Sequence, residues 1–297
     1  MAGTNDDSGD VLSPQATEKL IRLLAGSERY RLSSAQIDDR AVWIKRLDAE
    51  RSPIAKRIHA WISPLIPFVS LRSSARGTAS AMAQREARKA AAFRAAGFAT
   101  PTILYQGDAV LVLSEVSEIA EHMLWRLRET DPEQYEELLV SMAAALGRVH
   151  AAGLCHGRPH PSDFFYQNES WGFLDFEEEP EAVMPLAAAH ARDVWLLFLR
   201  ISTFAMRQET VGRAFAAYRA EAPVATIPEL RRVVSLFSIL IPGLTMLKPF
   251  GLGRNGREIL AMTRFMRAAL REPEARTPAR DIAKSVPKEP GYRDERP

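Results

Sequence analysis

The chain has 297 residues, 46% of them hydrophobic and 26% charged, with a formal net charge of +2. That composition excludes a collagenous or wholly disordered chain and leaves length for one large domain or two small lobes. So small a net charge gives no ground for a nucleic-acid partner, and a single cysteine, Cys155, excludes an internal disulfide framework and suits a reducing compartment.

The opening residues, MAGTNDDSGD, are polar and acidic and lack the basic-then-apolar order of a secretory signal. Residues 1–29 are expected to form an extension, disordered at first and then carrying one helix. In it, PQATEKLIRLLAG places Leu20, Leu23 and Leu24 on one helical face, with Gly26 as the stop. YRLSSAQIDDRAVWIKRL reads as strand, turn, strand, because Val42 and Ile44 alternate with Trp43 and Lys45. An apolar and basic insert punctuated by prolines follows at 48–78. ASAMAQREARKAAAFRAAG is alanine-rich and closes on Gly97, which predicts a helix. TPTILYQGDAVLVLSEV predicts a hairpin turning at Gln106-Gly107-Asp108.

From there to residue 271 the pattern is mostly helical. Asp131-Pro132 opens a helix in which Tyr135, Leu138, Leu139, Met142, Leu146 and Val149 share a face. A single loop-and-strand island at 155–177 interrupts this body. The longest uncharged apolar run, Val233 to Leu247, is shorter than the ~18 residues of a membrane span, contains Pro242 and Gly243, and reads as a core helix. The tail, 272–297, is rich in proline and roughly half charged, which predicts disorder. Strands gathered first and helices later give an α+β chain of two lobes, a small β-rich one at 30–116 and a helical one at 117–271.

The chemistry-bearing residues have an order. Lys45 ends VWIK on a strand, Glu86 lies on the next helix, and the island reads HGRPHPSDFFYQNESWGFLDFEEE, with Asp163 and Asp175 twelve positions apart. VWIK resembles the V-A-I-K strand of kinases, and LGRVHAAGLCHGRPHPSDFF resembles the kinase-like stretch L-x-x-L-H-x-x-G-x-x-H-G-D-L-x-P-x-N. Asp175 in FLDFE sits where D-F-G has its metal-binding Asp. Asp193 in ARDVWLLF resembles the buried aspartate that braces the catalytic loop in that superfamily. Over roughly residues 30–200 the chain is similar to the lipopolysaccharide kinases, the Kdo and heptose kinases, of the protein-kinase-like superfamily, as a divergent member.

The resemblance implies a protein-kinase-like bilobal fold and an ATP- and Mg²⁺-dependent phosphotransferase acting on a lipid-linked sugar or other envelope component. It implies Lys45 on the ATP phosphates, Glu86 as its ion-pair partner, and Asp163 and Asp175 on magnesium, which prefers hard oxygen ligands. The expected location is cytoplasmic, peripheral on the inner membrane. Two features depart from the pattern. Arg158 occupies the position of the catalytic base, with Asp163 five positions on where the metal-binding Asn stands, and no Gly-x-Gly-x-x-Gly precedes Lys45. A guanidinium stays protonated and is no base. Candidates for the catalytic loop are therefore Asp163, Arg158 as an anion holder, and His156 bracing the backbone. Two alternatives stay open: a pseudokinase that binds a nucleotide or partner without turnover, and a small-molecule kinase of the aminoglycoside or choline type.

Zinc at Cys155, His156 and His160 fits no common ligand spacing. The acidic run at 177–179 reads most simply as solvated. Between 54 and 72, Trp61, Ile62, Leu65, Ile66, Phe68 and Val69 lie beside Lys56, Arg57 and Arg72. That suits an anionic membrane surface, and equally a helix packed on the small lobe.

Overall fold

Alternation at Val42 and Ile44 buries one face of a strand, and that strand becomes the centre of a sheet. A computed structural model describes residues 13–25, 30–37, 40–48, 78–247 and 254–271. The expected membrane-facing segment 54–72, the helix stop Gly26 and the tail 272–297 lie outside the described residues. Helix α1 (Pro14–Ala25) leads to strands β1 (Leu32–Ile37) and β2 (Arg40–Arg46), then helix α2 (Ala79–Ala95) and the hairpin β3 (Ile103–Gln106) and β4 (Val110–Ser114). The sheet runs β1-β2-β4-β3 with every neighbouring pair antiparallel. Lys45 sits on β2 between Leu32 of β1 and Leu111 of β4.

The expected face of α1 holds only in part. Leu20 is buried with Ile37, Val42, Ile44 and Val112, and Leu24 packs against that group, but Leu23 is 40% exposed.

The remainder is helical: α3 (Ala120–Thr130), α4 (Pro132–Ala151), α5 (Leu186–Phe204), α6 (Gln208–Glu221), α7 (Thr226–Leu247) and α8 (Arg254–Ala269). Asp131 caps α4 through its side chain, which accepts from the Gln134 N–H at 3.0 Å, and Pro132 occupies the first turn where no donor is needed. The predicted α4 face, Tyr135 through Val149, is buried throughout, against residues such as Val194 and Phe198 of α5 and Phe215 and Tyr218 of α6. Val233 and Val234 of α7 join this core. No described helix is long and apolar enough to cross a membrane. The architecture is thus α+β, a small antiparallel sheet with a mostly helical remainder.

One hairpin interrupts the helices, β5 (Phe164–Gln167) and β6 (Ser170–Phe173). Its two-residue turn, Asn168-Glu169, has both residues at positive φ, the handedness that matches the strands' own twist. Gly172 makes room for Phe165, whose ring would lie 2.2 Å from an added Cβ. A bridge between Ala99 and Gly172 ties the hairpin to the chain entering β3.

Candidate functional site

Helix α2 starts on a Thr78 cap, whose side chain accepts from the Ala81 N–H at 3.2 Å. Its buried face is unusual, because Glu86 and Lys89 share it with Ala83, Ala90 and Phe93. A helix buries charges at such positions only when partners meet them. Here the partners come from β2 and from the segment after β6. Lys45 Nζ lies 3.0 and 2.8 Å from the two Glu86 carboxylate oxygens, 2.5 Å from Asp175 Oδ1 and 2.9 Å from Glu177 Oε1. Lys89 Nζ donates to the carbonyls of His156 (3.2 Å) and Glu178 (2.8 Å) and pairs with Glu181 at 2.9 Å. Phe93 meets Phe176 with ring centroids 4.6 Å apart, so an apolar contact backs the charged ones.

The structure therefore brings Lys45, Glu86 and Asp175 together, with Glu177 as a fourth member. Burial opposes the charge on Lys45, which is only 6% exposed, but Glu86, Asp175 and Glu177 outweigh it and hold the ammonium's pKa well above its ordinary value. Burial pushes Glu86 up to about 7 in spite of Lys45. Asp175 keeps its charge. Burial works against it, yet Lys45 holds its carboxyl down at about 2. Asp175 also has a φ of 67°, a left-handed conformation that Asp tolerates better than most side chains.

Asp163 lies in a 3₁₀ turn, Pro161–Asp163, closed reciprocally. Asp163 Oδ2 accepts from the His160 N–H at 2.9 Å, and His160 Nδ1 accepts from the Ser162 N–H at 3.2 Å. The Leu174 N–H donates to the Asp163 carbonyl at 3.0 Å, tying the turn to the residue before Asp175. Burial and then the charge of Asp175 push the Asp163 carboxyl well above its usual range. The two aspartates are an unequal pair, burial and repulsion raising Asp163 while Lys45 holds Asp175 down. Asp163 is not one of the carboxylates that could share a cation within 4.8 Å of one another. Among the described residues that group is Glu86, Asp175 and Glu177, in contact with the Lys45 ammonium.

His156 and Arg158 divide differently. The His156 Nε2–H donates to the Leu174 carbonyl at 3.0 Å, the ring is buried against Phe93 and Phe176, and burial lowers its pKa. It braces the loop. Arg158 faces outward, its side chain 45% exposed and 3.6 Å from Glu178, and makes no ion pair to Asp163 or Asp175. Behind the loop, Asp193 is fully buried and accepts from the N–H groups of His156 (2.8 Å) and Gly157 (3.0 Å) and the thiol of Cys155 (3.2 Å). Gly157 has a φ of 108° and passes so close to the Glu178 carbonyl that a Cβ would lie 2.5 Å from it, so only glycine fits.

The acidic run is not solvated, contrary to expectation. Glu177 pairs with Lys45 and with Arg31 beside β1. Glu178 pairs with Arg192 at 2.5 Å and Arg158, and Glu179 with Arg88 at 2.6 Å and Arg85 at 3.5 Å. Apart from Arg158, which lies in the same island, the partners come from other elements, and none was legible in the run itself. The signal that was present lay on α2, where Glu86 and Lys89 repeat on the same face as Phe93.

No family model matches the chain, and no curated protein matches it. A solved structure of an Rv3197–erythromycin complex from Mycobacterium tuberculosis aligns over 80% of this chain and 70% of its own, at 14% identity and a TM-score of 0.33. Likeness at that level carries no argument about fold or function.

Proposed function

We propose that this chain is a protein-kinase-like phosphotransferase using ATP and Mg²⁺, with a lipid-linked sugar or other envelope component as its acceptor. The observation that supports the reading is the meeting of Lys45, Glu86 and Asp175 from three elements otherwise far apart in the chain. Phosphoryl transfer from a nucleotide depends mainly on positioning and charge neutralisation, and this constellation supplies a positioned cation with an ionised acid beside it. Lys45 would hold nucleotide phosphates, with Glu86 fixing its direction. Asp175, already ionised, and Asp163 would hold the metal. Hard carboxylate oxygens suit a dication, and the charge of Asp175 helps to push the Asp163 carboxyl up, a repulsion that a shared cation would relieve. When bound, magnesium supplies the neutralisation of phosphate charge.

Neither Arg158 nor His156 supplies a base. Arg158 cannot take a proton, and His156 is buried with its Nε2–H bonded to a carbonyl. A loose transfer asks little of one, general-base assistance being worth ~10²–10⁴-fold. Arg158 also favours a second reading, nucleotide binding without turnover, since the base position holds a guanidinium paired with Glu178.

Calorimetry with ATP, with and without Mg²⁺, tests the first reading. The parent is expected to bind in a magnesium-dependent way, with Lys45→Met and Asp175→Asn each at least about tenfold weaker, a loss of about 1.4 kcal/mol. A parent that binds no ATP, or variants that bind like the parent, would overturn it. ATP turnover on the same samples decides between the readings, because binding with no turnover selects the second.

A further inference from the structure

A second cleft lies beside the loop, with a volume of ≈ 330 Å³, walled by α3, the start of α4, the end of α5 and His160. Its lining includes Trp125, Arg128, Arg200, His160 and Glu121. We infer that it binds a small organic anion, a phosphate or carboxylate carried on a ring, with Arg128 and Arg200 on the acid group and Trp125 against the ring face.

Three observations carry this. Arg128 and Arg200 line one cleft, and neither makes a hydrogen bond or ion pair among the described residues, although Glu121 lines the same walls. Arg85, Arg88, Arg126 and Arg192 each pair with an acidic neighbour, whereas the two guanidiniums lining this hollow have no such partner and are available to an anion. Trp125 is 64% exposed at the same place, and an exposed indole offers an apolar face to a ring. Finally, His160 joins the cleft to the loop. Its Nδ1 accepts from the Ser162 N–H, which leaves Nε2–H as a donor, while its own backbone N–H donates to Asp163. One residue therefore separates the cleft wall from an acid of the candidate site. As the place of the phosphoryl acceptor the cleft rests on the phosphotransfer reading above; as a binding site it stands apart from it.

Calorimetry on the full chain with glucose 6-phosphate, inorganic phosphate and glucose tests it, with ATP·Mg binding measured in parallel. The expected order is glucose 6-phosphate tightest. Arg128→Ala, Arg200→Ala and Trp125→Ala should each weaken it at least about tenfold, with ATP·Mg affinity unmoved. Vesicles carrying phosphatidylinositol 4-phosphate separate a lipid-borne group from a free one. Arginine-dependent binding of either form supports the cleft and names its source. If an alanine variant does not fold, Arg128→Lys and Arg200→Lys keep the charge without the fork and should weaken binding less. Binding of neither probe, or binding that no arginine variant changes, overturns the inference. Arginine-dependent binding by a chain that takes no ATP supports the cleft and removes only the acceptor role.

Discussion

Asp193 and Asp175 are both acids drawn against the same loop, yet different chemistry holds them. Asp193 sits at the centre of fixed donors, two backbone N–H groups, a thiol and His150, with no ion pair to Lys or Arg among the described residues. Asp175 is held by an ammonium at the end of the long Lys45 side chain, in a cluster that also contains Glu86 and Glu177. Backbone donors cannot leave without unfolding the loop, whereas a lysine can exchange one anion for another. The brace sets where the loop lies; the cluster gathers charge on movable side chains.

The largest effect should come from breaking the brace. Asp193→Ala leaves the His156 and Gly157 N–H groups buried without acceptors, and is expected to cost about 3–5 kcal/mol, read as a large drop in the thermal midpoint. Asp193→Asn, which keeps one acceptor oxygen, should recover part of it. A small effect of Asp193→Ala would mean that the loop does not depend on the brace.

Lys45→Met strikes the cluster and should cost less, about 2–3 kcal/mol, although it too breaks a buried pair. Glu86, already pushed up to about 7 by burial, can take up a proton once the ammonium is gone. Combining Lys45→Met with Glu86→Gln should therefore cost less than the sum of the single changes in denaturant unfolding. Strict additivity would show that the two side chains are not coupled.

Acid separates the two regions a third way. His150, His156 and His190 surround the brace, and burial lowers all three, His190 to about 4. The rings of His150 and His190 stack at 4.0 Å, where two charges would repel. A histidine with a depressed folded pKa contributes stability that is present above about 6.5 and lost as pH falls. The helical half should thus weaken between pH 6.5 and 4. Asp175, held at about 2, loses its contribution only as pH falls below its ordinary 3.8. Stability measured against pH should show both windows, the upper one partly offset by Glu86, whose carboxyl at about 7 adds stability as pH falls, and His190→Gln should reduce the histidine part alone.

The smallest change in stability is expected from Arg158→Asp, within about 0.5 kcal/mol, because Arg158 is half exposed and Glu178 keeps Arg192. Its effect on turnover is the informative quantity. In an active enzyme the substitution removes a cation near the loop and should lower the rate; a gain of ATP hydrolysis would favour the reading without native turnover.

Local pattern alone was enough for the strand carrying Lys45, for helix α2, for the β3–β4 hairpin and for the face of α4, because periodicity and caps are decided by neighbours along the chain. The order Lys45, Glu86, Asp163, Asp175 was likewise legible as a motif. Which carboxylates would be solvated was not. Glu177, Glu178 and Glu179 look like a surface run in sequence, and only folding places Lys45, Arg31, Arg85, Arg88 and Arg192 against them. The cleft lined by Arg128 and Arg200 was invisible for the same reason, since the two arginines are 72 positions apart on α3 and α5. A side chain's charge is written in the sequence, but its solvation and partners depend on contacts between remote segments, and those exist only once the chain has packed.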